Sequence, residues 1–271
     1  MEKLKGVAAV IFVAVGMGLV LGACASGDGG GDDREETAVN ALTETEKENG
    51  WSLLFNGDDF THWTGLGRDS IPPEHWTIEN GTIRKVESDS VPTAEDGQPL
   101  EGGDIMTTDT YRNFELKLEW KTSRAGNSGI KYNVSDSLST AHEPRHAALG
   151  FEYQLLDDER HPDSEQPSHR ASALYDLVAP NDQKSLRPVG EWNEARIVFR
   201  GPHGAHWLNG EKVLEYDLES TAFDSLFAES KYADTEGFRT RRAGHIVLQD
   251  HSDDFWFRNI KIRELPAETP Q

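Results

Sequence analysis

The chain has 271 residues, with 27 Lys and Arg against 48 Asp and Glu, a formal net charge of −21 at pH 7. That balance excludes a basic nucleic-acid binder, because phosphate attraction needs clustered cations. One cysteine excludes a disulfide scaffold, and 7 Trp, 6 Tyr and 11 Phe carry too much buriable area for a disordered chain.

Residues 1–23 read as an export signal. Lys3 and Lys5 precede an apolar run over 7–21, shorter than the roughly 20 residues a membrane-spanning helix needs. The run ends in Leu21-Gly22-Ala23-Cys24, and the sole cysteine stands at that point. The ending resembles a bacterial lipobox. It implies that Cys24 is lipidated and that the protein is anchored to a bacterial membrane, on its periplasmic or cell-surface side. An ordinary signal peptide that happens to contain a cysteine is the competing reading. Residues 24–50 then form the lipidated cysteine and a flexible acidic spacer, glycine- and aspartate-rich over 27–33 and poor in aliphatic mass.

From Trp51 to residue 271 the apolar period is two, the signature of half-buried strands. Over 114–120, Phe114, Leu116, Leu118 and Trp120 are expected inside, with Glu115, Lys117 and Glu119 outside. Residues 130–134 alternate in the same way as Ile-Lys-Tyr-Asn-Val, preceded by Asn127-Ser128-Gly129, a string that reads more readily as a turn than as a site. Phe151, Tyr153 and Leu155 are expected in the core, with Glu152 and Gln154 opposite. Ile246 and Leu248 are expected in the core, with His245, Val247, Gln249 and His251 opposite. Asn80-Gly81 and Asn209-Gly210 mark turns, the second a two-residue hairpin signal. Residues 220–231 form one short helix or an irregular loop. Many short strands and no long amphipathic helix predict an all-β protein, a β-sandwich or jelly roll of two antiparallel sheets. If the outer face of one sheet is concave, several polar side chains meet in a groove.

Several strings stand in a distinctive joint order: Trp51-Ser52-Leu53-Leu54-Phe55-Asn56-Gly57 with Trp63; Asn127-Ser128-Gly129-Ile130-Lys131-Tyr132; Glu152-Tyr153-Gln154-Leu155-Leu156-Asp157; Tyr175-Asp176-Leu177; Gly190-Glu191-Trp192-Asn193; His206-Trp207-Leu208-Asn209-Gly210; Leu248-Gln249-Asp250-His251; and Phe257-Arg258-Asn259-Ile260-Lys261-Ile262. In this order, over about 51–265, the chain resembles the bacterial 3-keto-disaccharide hydrolases, once catalogued as domain of unknown function 1080. The resemblance implies a concanavalin A-like jelly-roll sandwich. It also implies cleavage of 3-keto-glycosides or 3-keto-disaccharides whose ketone a separate, upstream oxidoreductase supplies. Two positions depart from the family pattern: Ala205 replaces an acid common before His206, and Ser252-Asp253 stands where a glycine commonly follows His251.

A ketone at C3 disfavours positive charge at C1, the usual route of glycoside hydrolysis, and acidifies the hydrogen on C2. A base can then form an enolate that expels the C1 substituent, after which water adds across the double bond. Such chemistry needs a base, a partner for the enolate oxygen and a proton source. His251 and Glu152 are the candidate catalytic residues, either one the base. Lys131, Gln249 and Asn127 are candidates for polarising the ketone or holding hydroxyls, and Gln154, Tyr175 and Glu119 complete the substrate-binding set. Each has a structural alternative: His251 as a strand-end bridge, Glu152 and Gln154 as a solvated face. Trp192 and Trp207 are packing residues or, for one of them, a sugar-stacking platform.

Asp157, Asp158, Glu159, His161 and Asp163 crowd one loop, and oxygen-rich loops suit Ca²⁺ or another divalent cation. The cluster lacks EF-hand spacing and contains Arg160, so an ion-pair loop is the preferred reading, and Asp157, Asp158 and His161 are the metal candidates of the other. His142 and His146 lack the glutamate of a zinc-protease helix, and no nucleotide cofactor is expected. A carbohydrate-binding module that holds a glycan without cleaving it is the alternative to the enzyme, since one fold hosts both.

Overall fold

Turn chemistry organises much of the chain. At Asn80-Gly81 the φ angles are 50° and 71°, and at Asn209-Gly210 they are 50° and 91°. Asparagine and glycine enter this left-handed region most easily, which closes two-residue hairpins with the twist that antiparallel strands require. The computed structural model describes residues 38–87, 92–94, 98–141 and 147–267. The export signal, Cys24 and the spacer up to residue 37 lie outside the described residues, as do His142 and His146.

The strands in chain order are β1 (Ser52–Leu53), β2 (Trp63–Gly65), β3 (Trp76–Glu79), β4 (Thr82–Lys85), β5 (Ile105–Thr107), β6 (Phe114–Thr122) and β7 (Asn127–Val134). They continue as β8 (Phe151–Leu156), β9 (Asn193–Arg200), β10 (His203–Leu208), β11 (Glu211–Asp217), β12 (His245–Leu248) and β13 (Phe255–Glu264). Three short helices accompany them: α1 (Glu44–Glu48), α2 (Asp136–Ala141) and α3 (Thr221–Glu229). One sheet runs β11-β10-β9-β6-β13-β4-β3, with β1 joined to β13; the other runs β2-β5-β12-β7-β8. The pairings within both sheets are antiparallel. This is the jelly-roll sandwich that the alternation and the family resemblance predict.

The core lies between the sheets. Phe114, Leu116, Leu118 and Trp120 of β6 meet Tyr132 of β7 and Phe151, Tyr153 and Leu155 of β8. Aromatic pairs such as Phe114–Tyr132 and Phe151–Phe199 join the layers at centroid distances of 6.0 and 6.4 Å, a range in which ring quadrupoles attract. His206 belongs to this core. Its Nε2 faces the Tyr132 hydroxyl at 2.9 Å and its Nδ1 the Ser172 carbonyl at 3.0 Å, and burial pushes its pKa down to about 4.

Three local features differ from the sequence reading. Residues 38–50 are docked rather than free: α1 carries a capping box between Thr43 and Glu46, and Asn40 exchanges hydrogen bonds with Asn259. Asn127-Ser128-Gly129 begins β7 and is not a turn. Asn133 adopts φ 55° beside a bulge against β12, so Val134 leaves the period and joins Val247, Met106 and Ala148 in a separate small cluster.

Candidate active site

The outer face of the smaller sheet carries a hollow centred on Gly129. Register places Gln154 of β8 directly opposite Gly129 and Glu152 opposite Lys131. On the other side of β7, Leu248 pairs with Ile130, and the Gln249 N–H donates to the Gly129 carbonyl at 2.9 Å. With side chains alternating across a strand, Asn127, Gly129 and Lys131 share this face with Glu152 and Gln154, and with Gln249 and His251 beyond β12. Gly129 is the one position in the middle of this grid without a side chain. The Glu152 carboxylate leans into the vacancy: a Cβ on Gly129 would stand 2.3 Å from Glu152 Oε1.

Above the hollow lies a cavity of about 410 Å³. Its floor is Asn127, Glu152, Gln154, Gln249 and His251; its rim is Gln98, His161, Pro162, Asp163, Tyr175 and Lys231. The segment after β8 supplies most of the rim. It returns along the edge of β8, where Ser172 and Tyr175 donate to the Gln154 and Glu152 carbonyls at 2.7 and 3.0 Å, covering that sheet edge. Tyr175 is fixed on all sides. Its hydroxyl donates to Asp163 Oδ2 at 3.2 Å, His169 stacks on its ring at 4.3 Å, and Lys231 Nζ lies 4.4 Å from the ring centroid. Burial, together with the Glu152 and Asp163 charges, raises its pKa. His169 in turn bridges Asp163 and Asp176 at 2.7 and 3.0 Å.

The floor is a connected polar layer. Gln154 Nε2 donates to Asn127 Oδ1 at 3.0 Å, and Asn127 Nδ2 faces His251 Nε2 at 3.4 Å. The Asn127 N–H donates to Asp253 at 2.9 Å, and burial pushes the Asp253 pKa up to about 6. Ser252, next to His251, holds φ 72°; its N–H is taken by Asp250 at 2.9 Å. Beneath the layer, Asp250 is held by His75 at 2.5 Å and Lys85 at 3.0 Å. Burial alone would raise the Asp250 pKa, but these partners outweigh it and hold it below the usual carboxylate range. Asp104 accepts from the Asp250 and Ala148 N–H groups, both at 2.8 Å, and burial raises its pKa to about 6.

Six of the predicted residues therefore line one cavity: His251, Glu152, Gln154, Gln249, Asn127 and Tyr175. Two predicted residues do not. Lys131 lies under Glu152, its Nζ 3.7 Å from Oε2 and donating to the Ala148 carbonyl at 3.1 Å, so it supports the carboxylate and is not part of the cavity wall. Glu119 is on β6 of the other sheet, bound to Arg258 at 2.6 Å and Asn259 at 2.9 Å. The alternation of β6 is real, but alternation does not say to which sheet a strand belongs.

The metal candidates also separate. Asp157 accepts from the Ala125 N–H at 2.8 Å and lies 3.4 Å from Arg160, while Asp158 pairs with Lys184 and accepts from the Ala171 N–H. His161 Nδ1 accepts from the Asp163 N–H at 3.1 Å, and burial, outweighing nearby acids, lowers its pKa. Among the described residues, no group of three or more His, Cys, Asp and Glu is assembled as a metal-holding set. Ion pairs join the loop: Arg160 with Asp157 and Glu159, and Lys184 with Asp158. Trp192 and Trp207 are covered by Arg258 at 4.1 Å and Arg196 at 4.2 Å, which makes them packing residues on the larger sheet. Sequence reasoning did not place Gln98, Asp163 or Lys231 at the site. They arrive on loops, and no periodicity encodes their position.

Comparison with known proteins bears on family and fold. Residues 50–263 match the family described as 3-keto-alpha-glucoside-1,2-lyase-like domain. A 3-keto-disaccharide hydrolase of Bacteroides thetaiotaomicron is 37% identical over 235 residues, spanning 80% of this chain and 79% of the relative. A crystal structure from Parabacteroides distasonis ATCC 8503, provisionally described as a glycosyl hydrolase, is 31% identical with a TM-score of 0.73, covering 84% of this chain and all of that one. A second from the same strain is 28% identical with a TM-score of 0.54, covering 75% and 99%.

Proposed function

The chain belongs to the 3-keto-disaccharide hydrolase family, and from that premise we propose that the cavity over Gly129 cleaves 3-keto-glycosides, with Glu152 as the base that removes the C2 proton. The observation that carries this reading is the Glu152 carboxylate overhanging a hollow without a side chain, inside a ring of polar groups from three strands. A pyranose seated there would place a ring carbon against the carboxylate. Lys131 lies behind it, with Nζ 3.7 Å from Oε2.

Glu152 takes the C2 proton, and the C2–H electrons delocalise onto the C3 oxygen as an enolate, which the Lys231 ammonium on the rim stabilises. The enolate collapses to form the C1–C2 double bond as the C1–O bond breaks, and His251 gives the departing oxygen its proton. Water then adds its oxygen to C1 and a proton to C2, so the sum is hydrolysis. Release before water addition makes the same site a lyase. Stabilisation of developing charge by fixed groups is commonly the largest catalytic contribution in such sites.

The binding-module reading is less well supported. A binder of glycans relies on open aromatic faces, and the aromatic ring in this cavity, Tyr175, has His169 on its ring at 4.3 Å and Lys231 at 4.4 Å. The N-terminal sequence supports export and lipid attachment at Cys24, on the periplasmic or cell-surface side of a bacterial membrane, and the substrate chemistry calls for an upstream oxidoreductase.

The test is release of 4-nitrophenol from 4-nitrophenyl 3-keto-α-glucoside and from its unoxidised parent. Release from the keto form alone is expected. Equal release from both, or release from neither with binding retained, contradicts the proposal.

A further inference from the structure

Among the described residues, two amide oxygens of the cavity-floor residues have no hydrogen-bond partner. Gln154 Oε1 and Gln249 Oε1 are buried, and neither meets a donor among the described residues; the two residues are 1% and 4% exposed. Buried polar atoms are nearly always paired in native proteins, so an unmet acceptor on a residue that lines a cavity calls for a donor.

These two oxygens belong to residues on either side of the same hollow. Gln154 is the register partner of Gly129 on β8, and Gln249 binds the Gly129 carbonyl from the β12 side. Between them the floor has no side chain of its own. The Gln154 amide is oriented, because its Nε2 donates to Asn127 Oδ1 at 3.0 Å; turning its N–H toward a ligand would break that bond. The Glu152 carboxylate, an acceptor only when ionised, completes the floor within 2.3 Å of where a Gly129 Cβ would be.

Three acceptors around the Gly129 hollow, Gln154 Oε1, Gln249 Oε1 and the Glu152 carboxylate, select donors. Ring hydroxyls donate; a ketone oxygen cannot. We propose that Gln154 and Gln249 each accept a hydrogen bond from a different hydroxyl of the pyranose, one at each edge of the ring, and keep the ketone away from their positions. The ketone edge then turns toward the rim that carries Lys231. Hydrogen-bond polarity, not shape, thereby sets which way round the sugar sits. The inference rests on the glycoside reading of this cavity and adds which atoms the two glutamines read. It also entails that the unoxidised glucoside binds, since it keeps every hydroxyl.

The test is calorimetric binding to the wild-type protein of 4-nitrophenyl α-glucoside and of three analogues with fluorine in place of the C2, C4 or C6 hydroxyl. Fluorine nearly fills the space of the hydroxyl but donates nothing. Two of the three analogues are expected to bind about 10- to 100-fold more weakly than the parent. One loss should disappear in Gln154→Met and the other in Gln249→Met, with melting curves reporting that both variants fold. Absence of parent binding overturns the proposal, as do three analogues within about twofold of the parent or losses that persist in both variants. If the fluorine pattern fails while the 3-keto-glucoside is still cleaved, this inference fails alone. If cleavage fails while the pattern holds, the catalytic reading fails and the hydroxyl-binding pair stands.

Discussion

A methyl group on Gly129 would reach Glu152 Oε1 at 2.3 Å and its Cδ at 2.8 Å. The three nearest heavy atoms all belong to Glu152, so Gly129→Ala is a direct test of the carboxylate's position. It is expected to fold and to lose about 10²-fold in kcat/KM, the scale on which a displacement of about 1 Å disables a site. Unchanged kinetics in a variant with a wild-type melting curve would show that the carboxylate does not act from the hollow. No sequence signal pointed to this glycine, because a strand glycine and a turn glycine look alike in a string such as Asn-Ser-Gly. Residue type was more informative elsewhere. Glu152, Gln154, Gln249 and His251 were legible as one face because each is a polar residue in an apolar alternation. Lys131 was assigned to the right face but the wrong depth: its long side chain runs beneath Glu152 and ends on the Ala148 carbonyl.

At the scale of elements, β7, β8 and the extension of β12 form the floor, and what keeps them in register is partly buried charge. Asp104 precedes β5 and accepts with both oxygens, from Asp250 between the floor residues Gln249 and His251 and from Ala148 beside Lys131. Asp104→Asn keeps the shape but replaces one acceptor with a donor, leaving a backbone N–H unmet. We expect a loss of about 1–3 kcal/mol in urea unfolding, together with a lower kcat/KM as the Gln249–His251 segment loosens. Unchanged stability and kinetics would remove Asp104 from this role. The elements themselves were largely visible in the sequence: the alternation of β6, β8 and β12 and the Asn-Gly hairpins all correspond to real strands and turns. Two things were not visible. Sheet membership depends on crossovers, which is why Glu119 was grouped with the site although β6 lies in the other sheet. The bulge at Asn133 depends on a left-handed φ that asparagine tolerates but does not announce.

The described residues form a sandwich whose interior contains titratable groups of opposing effect. Burial lowers the His206 pKa from 6.5 to about 4, so the folded state favours the neutral ring. Its stabilising contribution is complete above pH 6.5 and is lost as pH falls toward 4. Asp104 and Asp253, raised from 3.8 to about 6, act oppositely: their contribution is present below the usual carboxylate range and is lost as pH rises toward 6. Removing the histidine isolates one side of this balance. Between pH 7 and pH 4.5 wild-type protein should lose up to about 3 kcal/mol more unfolding free energy than His206→Gln. Parallel pH dependence in the two proteins would contradict the assignment of a neutral, buried His206. The same two-layer plan separates the candidate site from the charged outer face of the larger sheet, where Glu119 binds Arg258 and Asn259. That separation gives the most direct measurement of the central claim: turnover of 4-nitrophenyl 3-keto-α-glucoside by Glu152→Gln, His251→Ala and Glu119→Gln, each compared with wild type. Losses of at least about 10²-fold in the first two, with near wild-type turnover in the third, are predicted. Near wild-type turnover in Glu152→Gln, or an equal loss in Glu119→Gln, would contradict the account.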